Sequence, residues 1–210
     1  RERLDIIDMG SVYVNKMQKC LELMNIKLKE VISQVHGASG IKMIKAILSG
    51  SRDKTYLLSL CDKRIVNKKG EQVLKALEGN YNECYLFLLE QNLQMWEKHQ
   101  EQIIVIDKRI ETHLENLCIL QPQVEVKSKA KPVRHHAPKI EGLHGKLVQL
   151  YGVNVSSISG INDYTLLRLI GETGVDMSRF PTVKHFVSWC GLSPKHHKSG
   201  LMHKKVKGTK

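Results

Sequence analysis

The sequence predicts a mainly α protein, with a helical region and a long coiled-coil hairpin followed by a small, helix-hairpin-helix-like C-terminal domain. Three observations predict this class. Apolar residues recur at three- and four-residue steps over long proline-free stretches. A seven-residue repeat runs from Leu86 to Leu117. Aromatic residues make up only 5% of the chain, which argues against a β-sandwich. With 210 residues, 41% of them hydrophobic and 26% charged, the chain has the composition of a soluble globular protein with a real core. No run approaches the roughly 18 apolar residues of a membrane span, so no membrane partner is expected. The opening RERLDIIDMG has no apolar signal-peptide core and no initiator methionine, so a trimmed or partial chain is expected.

Taken in order, residues 2–35 read as helix, with Val14, Met17, Leu21, Met24, Leu28 and Val31 on one face. Gly37 and Gly40 break it, and a short helix over 41–48 follows, stopped at Ser49-Gly50-Ser51. Asp53 is a candidate N-cap for another short helix through Leu60. Residues 62–70 are polar and basic and read as loop, closing a helical region over 1–70. Residues 71–120 read as the coiled coil, interrupted only at Gly79-Asn80. Leu86, Leu89, Leu93, Trp96, Ile103, Ile110, Leu114 and Leu117 alternate in threes and fours, with Gln100 and Asp107 as polar seam positions. So narrow a stripe suits a two-helix seam between subunits, which predicts a homo-oligomer. The alternative is an antiparallel hairpin packed on the first helix.

Residues 121–139 hold three of the five prolines and the run KSKAKPVRHH, a basic linker by composition. The last domain, 140–210, begins with a short helix in GKLVQLY. Asn162-Asp163 caps a helix over 164–171, and Pro181 stands at an early position of another that carries Phe186, Val187 and Trp189. The closing GLSPKHHKSGLMHKKVKGTK reads as irregular basic loop.

The five cysteines are dispersed, with no CxxC pair, so reduced thiols in a cytoplasmic protein are expected. A net charge of +12 is concentrated at the end: residues 177–210 contain no Asp or Glu but eight Lys and Arg. One-signed charge of this kind is a footprint for a polyanion, with a solvated basic tail as the bland alternative. Gly160-Ile161 sits in a tight turn before a helix N-terminus, where backbone amides can meet a phosphate. Ser193, Ser199, His185 and His203 lie among lysines. A serine so placed can attack a phosphodiester while cations stabilise the charge that develops on phosphorus, although Ser199-Gly200 is also an ordinary turn dipeptide. Cys190, His196, His197 and His203 match no usual zinc spacing, and the acidic residues are dispersed like those of solvated helix faces, so no metal site is expected in this chain.

The run GVNVSSISGINDYTLLRLIGETGVDMSRFPTVKHFVSWCGLSPKHHKSG resembles the C-terminal domain of the insertion-sequence 110/116/902 transposases. Four elements carry the resemblance in order: Gly160-Ile161, Glu172-Thr173-Gly174, the RFPT-x-KHF-x-SW-x-GL-x-P stretch from Arg179, and Ser199-Gly200. The segments MQKCLELMNIKLKEVISQVHGASGIKMIKAILSGSRD and LEGNYNECYLFLLEQ resemble the middle region of longer members. The resemblance implies a DNA transposase built from a RuvC-like N-terminal domain with four magnesium-binding acids, a dimerising coiled coil, and this C-terminal domain with a nucleophilic serine. DNA is the implied partner, together with, in some members, a structured guide RNA. The serine falls on Ser199. Lys184, Lys195, His196, His197, Lys198, Lys204, Lys205 and Lys207, with Gly160 and Ile161, form the implied nucleic-acid contacts. The magnesium-binding domain would precede Arg1, so this chain alone is expected to be inactive and to hold no cofactor. Where the family has SGGK, this chain reads Ser199-Gly200-Leu201-Met202, which leaves a decayed copy or a non-catalytic, dimeric nucleic-acid-binding protein as the alternative.

Overall fold

In a computed structural model of the chain, the structure describes residues 1–133 and 136–192, and the backbone of 195–199 and 202–206. It divides into two compact units, Arg1–Asn116 with His135–Glu141, and Leu117–Arg134 with Gly142–Lys210. The fold is mainly α, as the sequence predicts.

In the first unit, α1 (Glu2–Leu23) starts with Glu2 and Asp5, which complement the positive end of the helix dipole. It buries Ile6, Ile7, Val14, Met17 and Leu21. It does not continue to residue 35. Asn25 turns left-handed at φ 59, a conformation its short polar side chain tolerates, and donates its Nδ2 hydrogen to the Glu78 carbonyl at 3.1 Å. The apolar rhythm continues past the break because Met24, Leu28 and Val31 are also buried, the last two in the single-turn α2 (Leu28–Val31). Periodicity reported burial there rather than an unbroken helix.

The next helix, α3 (Ala38–Leu48), begins where Gly40 lets the backbone close on the Val35 carbonyl, which a Cβ would overlap. Asp53 caps α4 (Lys54–Ser59), its carboxylate accepting from the Thr55 amide at 2.9 Å. The expected loop at 62–70 is instead the start of α5 (Lys63–Ala76), with one non-helical residue at Lys69. Asp62 caps it through the Arg64 amide at 2.9 Å. The segment looked like loop because only Ile65 and Val66 face the core, while Lys63, Arg64 and Lys68 stay in water.

Asn82 then caps α6 (Glu83–Ile119), a single helix of 37 residues, by accepting from the Cys84 amide at 3.0 Å. Arg3 meets Asp107 and Gly10 abuts Trp96 and His99, so α1 runs antiparallel to α6. The seam of the seven-residue repeat therefore has α1 as a partner within the chain. Leu89 and Leu93 complete a core with Met17, Leu21, Met43, Ile44, Ile47, Leu57 and Leu77. Each such fully buried side chain contributes about 2 kcal/mol of transfer free energy.

In the second unit, residues 121–133 form no helix or strand. The first helix, α7 (Leu143–Tyr151), lies between left-handed Gly142 and Gly152 and buries Leu147, Val148 and Leu150. A 3₁₀ turn (Val155–Ser157) leads to α8 (Asp163–Thr173), which Asn162 caps through the Thr165 amide at 2.9 Å, as the sequence predicts. A second 3₁₀ turn (Met177–Arg179) precedes α9 (Val183–Trp189). Its N-cap is the extended Thr182 (φ −144), which leaves Pro181 before the helix rather than in its first turn. Gly191, left-handed at φ 70, ends α9. The tail, expected to be irregular, instead forms an antiparallel pair, β1 (Lys195–Ser199) and β2 (Met202–Val206). Its sequence lacks the apolar alternation that marks a half-buried strand, yet backbone pairing alone suffices for a ribbon.

Candidate nucleic-acid interface

The second unit presents its basic residues on short elements held by a small apolar core. Leu166, Leu167 and Ile170 anchor α8 and leave Arg168 exposed. On α9, Lys184 and His185 are exposed in the first turn, and the His185 ring bonds the Thr182 hydroxyl at 2.7 Å. The T-shaped pair Phe180–Phe186 (5.0 Å) and the stacked pair Phe186–Trp189 (6.2 Å) fix α9 to the segment before it. Glu172, Thr173, Arg179, Phe180 and Trp189 line a cavity of about 240 Å³. Hydrogen bonds from Ser178, with the Arg179 charge nearby, hold the exposed Asp176 carboxyl below its ordinary range.

Beyond α9 the strand register sets Lys195 opposite Val206, His196 opposite Lys205, His197 opposite Lys204, Lys198 opposite His203 and Ser199 opposite Met202. Seven of these ten residues are Lys or His, and 177–210 contains no carboxylate side chain, so the field of the segment has one sign. Ser199 is the last residue of β1. Lys207 and Ser193 lie outside the described residues. The structure thus brings Lys195, His196, His197, Lys198, Lys204, Lys205 and Ser199 into one hairpin.

Gly160 and Ile161 stand apart in the turn before α8. Gly160 is left-handed at φ 81, and the Ile161 amide donates to the Ile158 carbonyl at 3.2 Å. On the carbonyl side of this turn, the Lys131 ammonium bonds Ile158 O at 2.8 Å and Ile161 O at 3.3 Å. Lys131 comes from the stretch read as a linker, which is therefore pinned here.

Sequence reasoning missed a second cluster, formed by Ser128, His144 and Asp163. Three residues so far apart in the chain leave no spacing to find. Among the described residues, no group of three or more His, Cys, Asp or Glu is placed to hold a metal ion. All five cysteines are thiols, with Cys20, Cys61 and Cys118 buried. Burial pushes the Cys20 and Cys61 thiols up. No helix among the described residues is long and apolar enough to cross a membrane.

No curated protein and no solved structure matches the chain. Residues 153–210 match the model of the Transposase IS116/IS110/IS902 family, a segment that begins just before the first 3₁₀ turn and includes α8, α9 and the basic hairpin. The turn, the two helices and the lysine-rich ribbon all lie inside that segment, so it is residues 153–210 that are similar to the IS116/IS110/IS902 transposase family.

Proposed function

We propose that this chain acts in insertion-sequence transposition, holding DNA on its basic C-terminal hairpin while the Ser199 hydroxyl attacks a phosphodiester. One coincidence carries the reading: the family match over 153–210 covers the acid-free, lysine-rich ribbon that ends its first strand on Ser199. In the step proposed, the Ser199 hydroxyl gives its proton to water, a Ser199 Oγ–phosphorus bond forms, and the bridging DNA oxygen leaves with the electron pair of its bond to phosphorus and takes up a proton from water. Neighbouring lysines stabilise the charge on the equatorial oxygens. Lys184, Lys195, Lys198, Lys204, Lys205 and Lys207 act as phosphate clamps, with His196, His197 and the Gly160-Ile161 turn beside them.

The magnesium-binding RuvC-like half of the enzyme is proposed to lie outside these residues, and the chain alone binds DNA without recombining it. A structured guide RNA would meet the same one-signed surface. The outer face of α6 exposes Phe87, Leu88, Met95 and Val105, which suits a second copy of the chain. The work is proposed to take place in the cytoplasm.

The test uses the full-length protein with magnesium and its DNA ends. Ser199→Ala should abolish strand joining and leave binding nearly intact. Equal activity of the two proteins would remove Ser199 from the mechanism. The non-catalytic reading, favoured by Leu201-Met202 in place of Gly-Lys, expects DNA binding and no strand joining by either protein.

A further inference from the structure

Ser128, His144 and Asp163 come from a bend in the 121–133 segment, the first turn of α7 and the first residue of α8. Ser128 Oγ lies 2.9 Å from His144 Nε2. His144 Nδ1 lies 3.0 Å and 3.2 Å from the two Asp163 oxygens. The carboxylate can only accept, so Nδ1 carries a hydrogen and donates it, and in the neutral ring Nε2 then accepts from the Ser128 hydroxyl. The hydrogen bonds thus run from hydroxyl to imidazole to carboxylate, the order that activates a serine. The His144 and Asp163 side chains are only 11% and 6% exposed, which fixes the ring. Lys131, pinned on the Ile158 and Ile161 carbonyls, holds the serine's segment three residues on.

We propose that Ser128, His144 and Asp163 form a second nucleophilic site, separate from Ser199, that acts on a phosphoryl ester. The anionic substrate class follows from Lys129 beside the serine and from the basic run of residues 126–140, which contains no Asp or Glu, while Lys127 on the other side of the serine is paired with Glu125 at 3.2 Å. In the step, the Ser128 proton passes to His144 Nε2, an Oγ–phosphorus bond forms, and the ester oxygen leaves, taking the proton back from the imidazolium. Ser128 and His144 are the catalytic residues. Asp163 is a positioning residue that holds the ring tautomer.

Diisopropyl fluorophosphate tests this on the 210-residue chain. It follows the same course, with fluoride as the leaving group, and the labelled peptide is found by mass spectrometry. Ser128 should be labelled faster than every other serine, at a rate that rises with pH. His144→Gln should slow labelling about 100-fold or more, the range of general-base catalysis. Asp163→Asn should slow it about 10-fold or more, and Asp163→Glu should restore part of the rate, because a carboxylate again holds the ring tautomer. A purely structural role would lower the melting temperature of these variants without slowing the labelling of Ser128 in the folded protein. Labelling of Ser128 no faster than of other serines, or a flat pH profile in the unaltered protein, overturns the proposal without requiring any variant to fold.

Discussion

At the scale of single residues, the firmest arrangement is the ion pair of Arg3 and Asp107, whose side chains are 7% and 1% exposed. Arg3 Nε and Nη2 donate to the two Asp107 oxygens at 2.5 and 3.2 Å, and the Lys139 amide donates to the second oxygen at 2.8 Å. Removing one partner of such a pair leaves a buried charge uncompensated, so Asp107→Ala should cost about 3–5 kcal/mol in urea unfolding. Gly40→Ala should cost about 1–3 kcal/mol, because the new Cβ overlaps backbone rather than a side chain that can rotate away. His36 is a different case. Burial lowers its pKa, the nearby His136 charge lowers it further, and its buried Nδ1 has no hydrogen-bond partner among the described residues. The folded state therefore binds the proton less tightly than the unfolded chain does. The stability due to this group is fully present above the unfolded value of about 6.5 and is lost as pH falls below it. Melting temperatures at pH 7.5 and 5 should show the fall, and His36→Leu should make it shallower.

At the scale of elements, caps, apolar stripes and the glycine-marked breaks at Ser49-Gly50-Ser51 and Gly79-Asn80 were legible, and the break at Asn25 was not. Asp53 and Asn162 mark helix starts in the sequence and cap helices in the structure, because their side-chain oxygens accept the first unpaired amides. The turn at Asn25 was hidden by buried residues on both sides of it, and α5 by lysines on its wet face. The repeat on α6 was read as a seam between subunits, and the structure packs α1 on it, the alternative reading, because sequence spacing cannot say which helix fills a seam. Arg3 opposite Asp107 is what sets that pairing, since a polar pair in a seam fits one register. The basic hairpin was legible as a charge and not as a ribbon. Its role makes a measurable difference: replacing Lys198 and Lys204 together by Ala should weaken DNA binding across sequences and lower the salt slope of log K by about 2. An unchanged slope would take those lysines off the phosphates.

At the scale of the whole molecule, residues 153–210 are the segment similar to the transposase family, and the first unit is helical, with exposed apolar residues on α6. Ser199 is a candidate through the family resemblance, because a serine followed by glycine is by itself an ordinary turn pattern. The Ser128–His144–Asp163 cluster was not legible, because only tertiary packing assembles it. The most direct test of the central claim is to find where DNA becomes attached. Full-length protein with magnesium is reacted with its element ends, digested, and searched by mass spectrometry for the nucleotide-bearing residue. A nucleotide on Ser199, absent from Ser199→Ala, is the expected result. A nucleotide found only on residues other than Ser199, or strand joining that persists in Ser199→Ala, would contradict it.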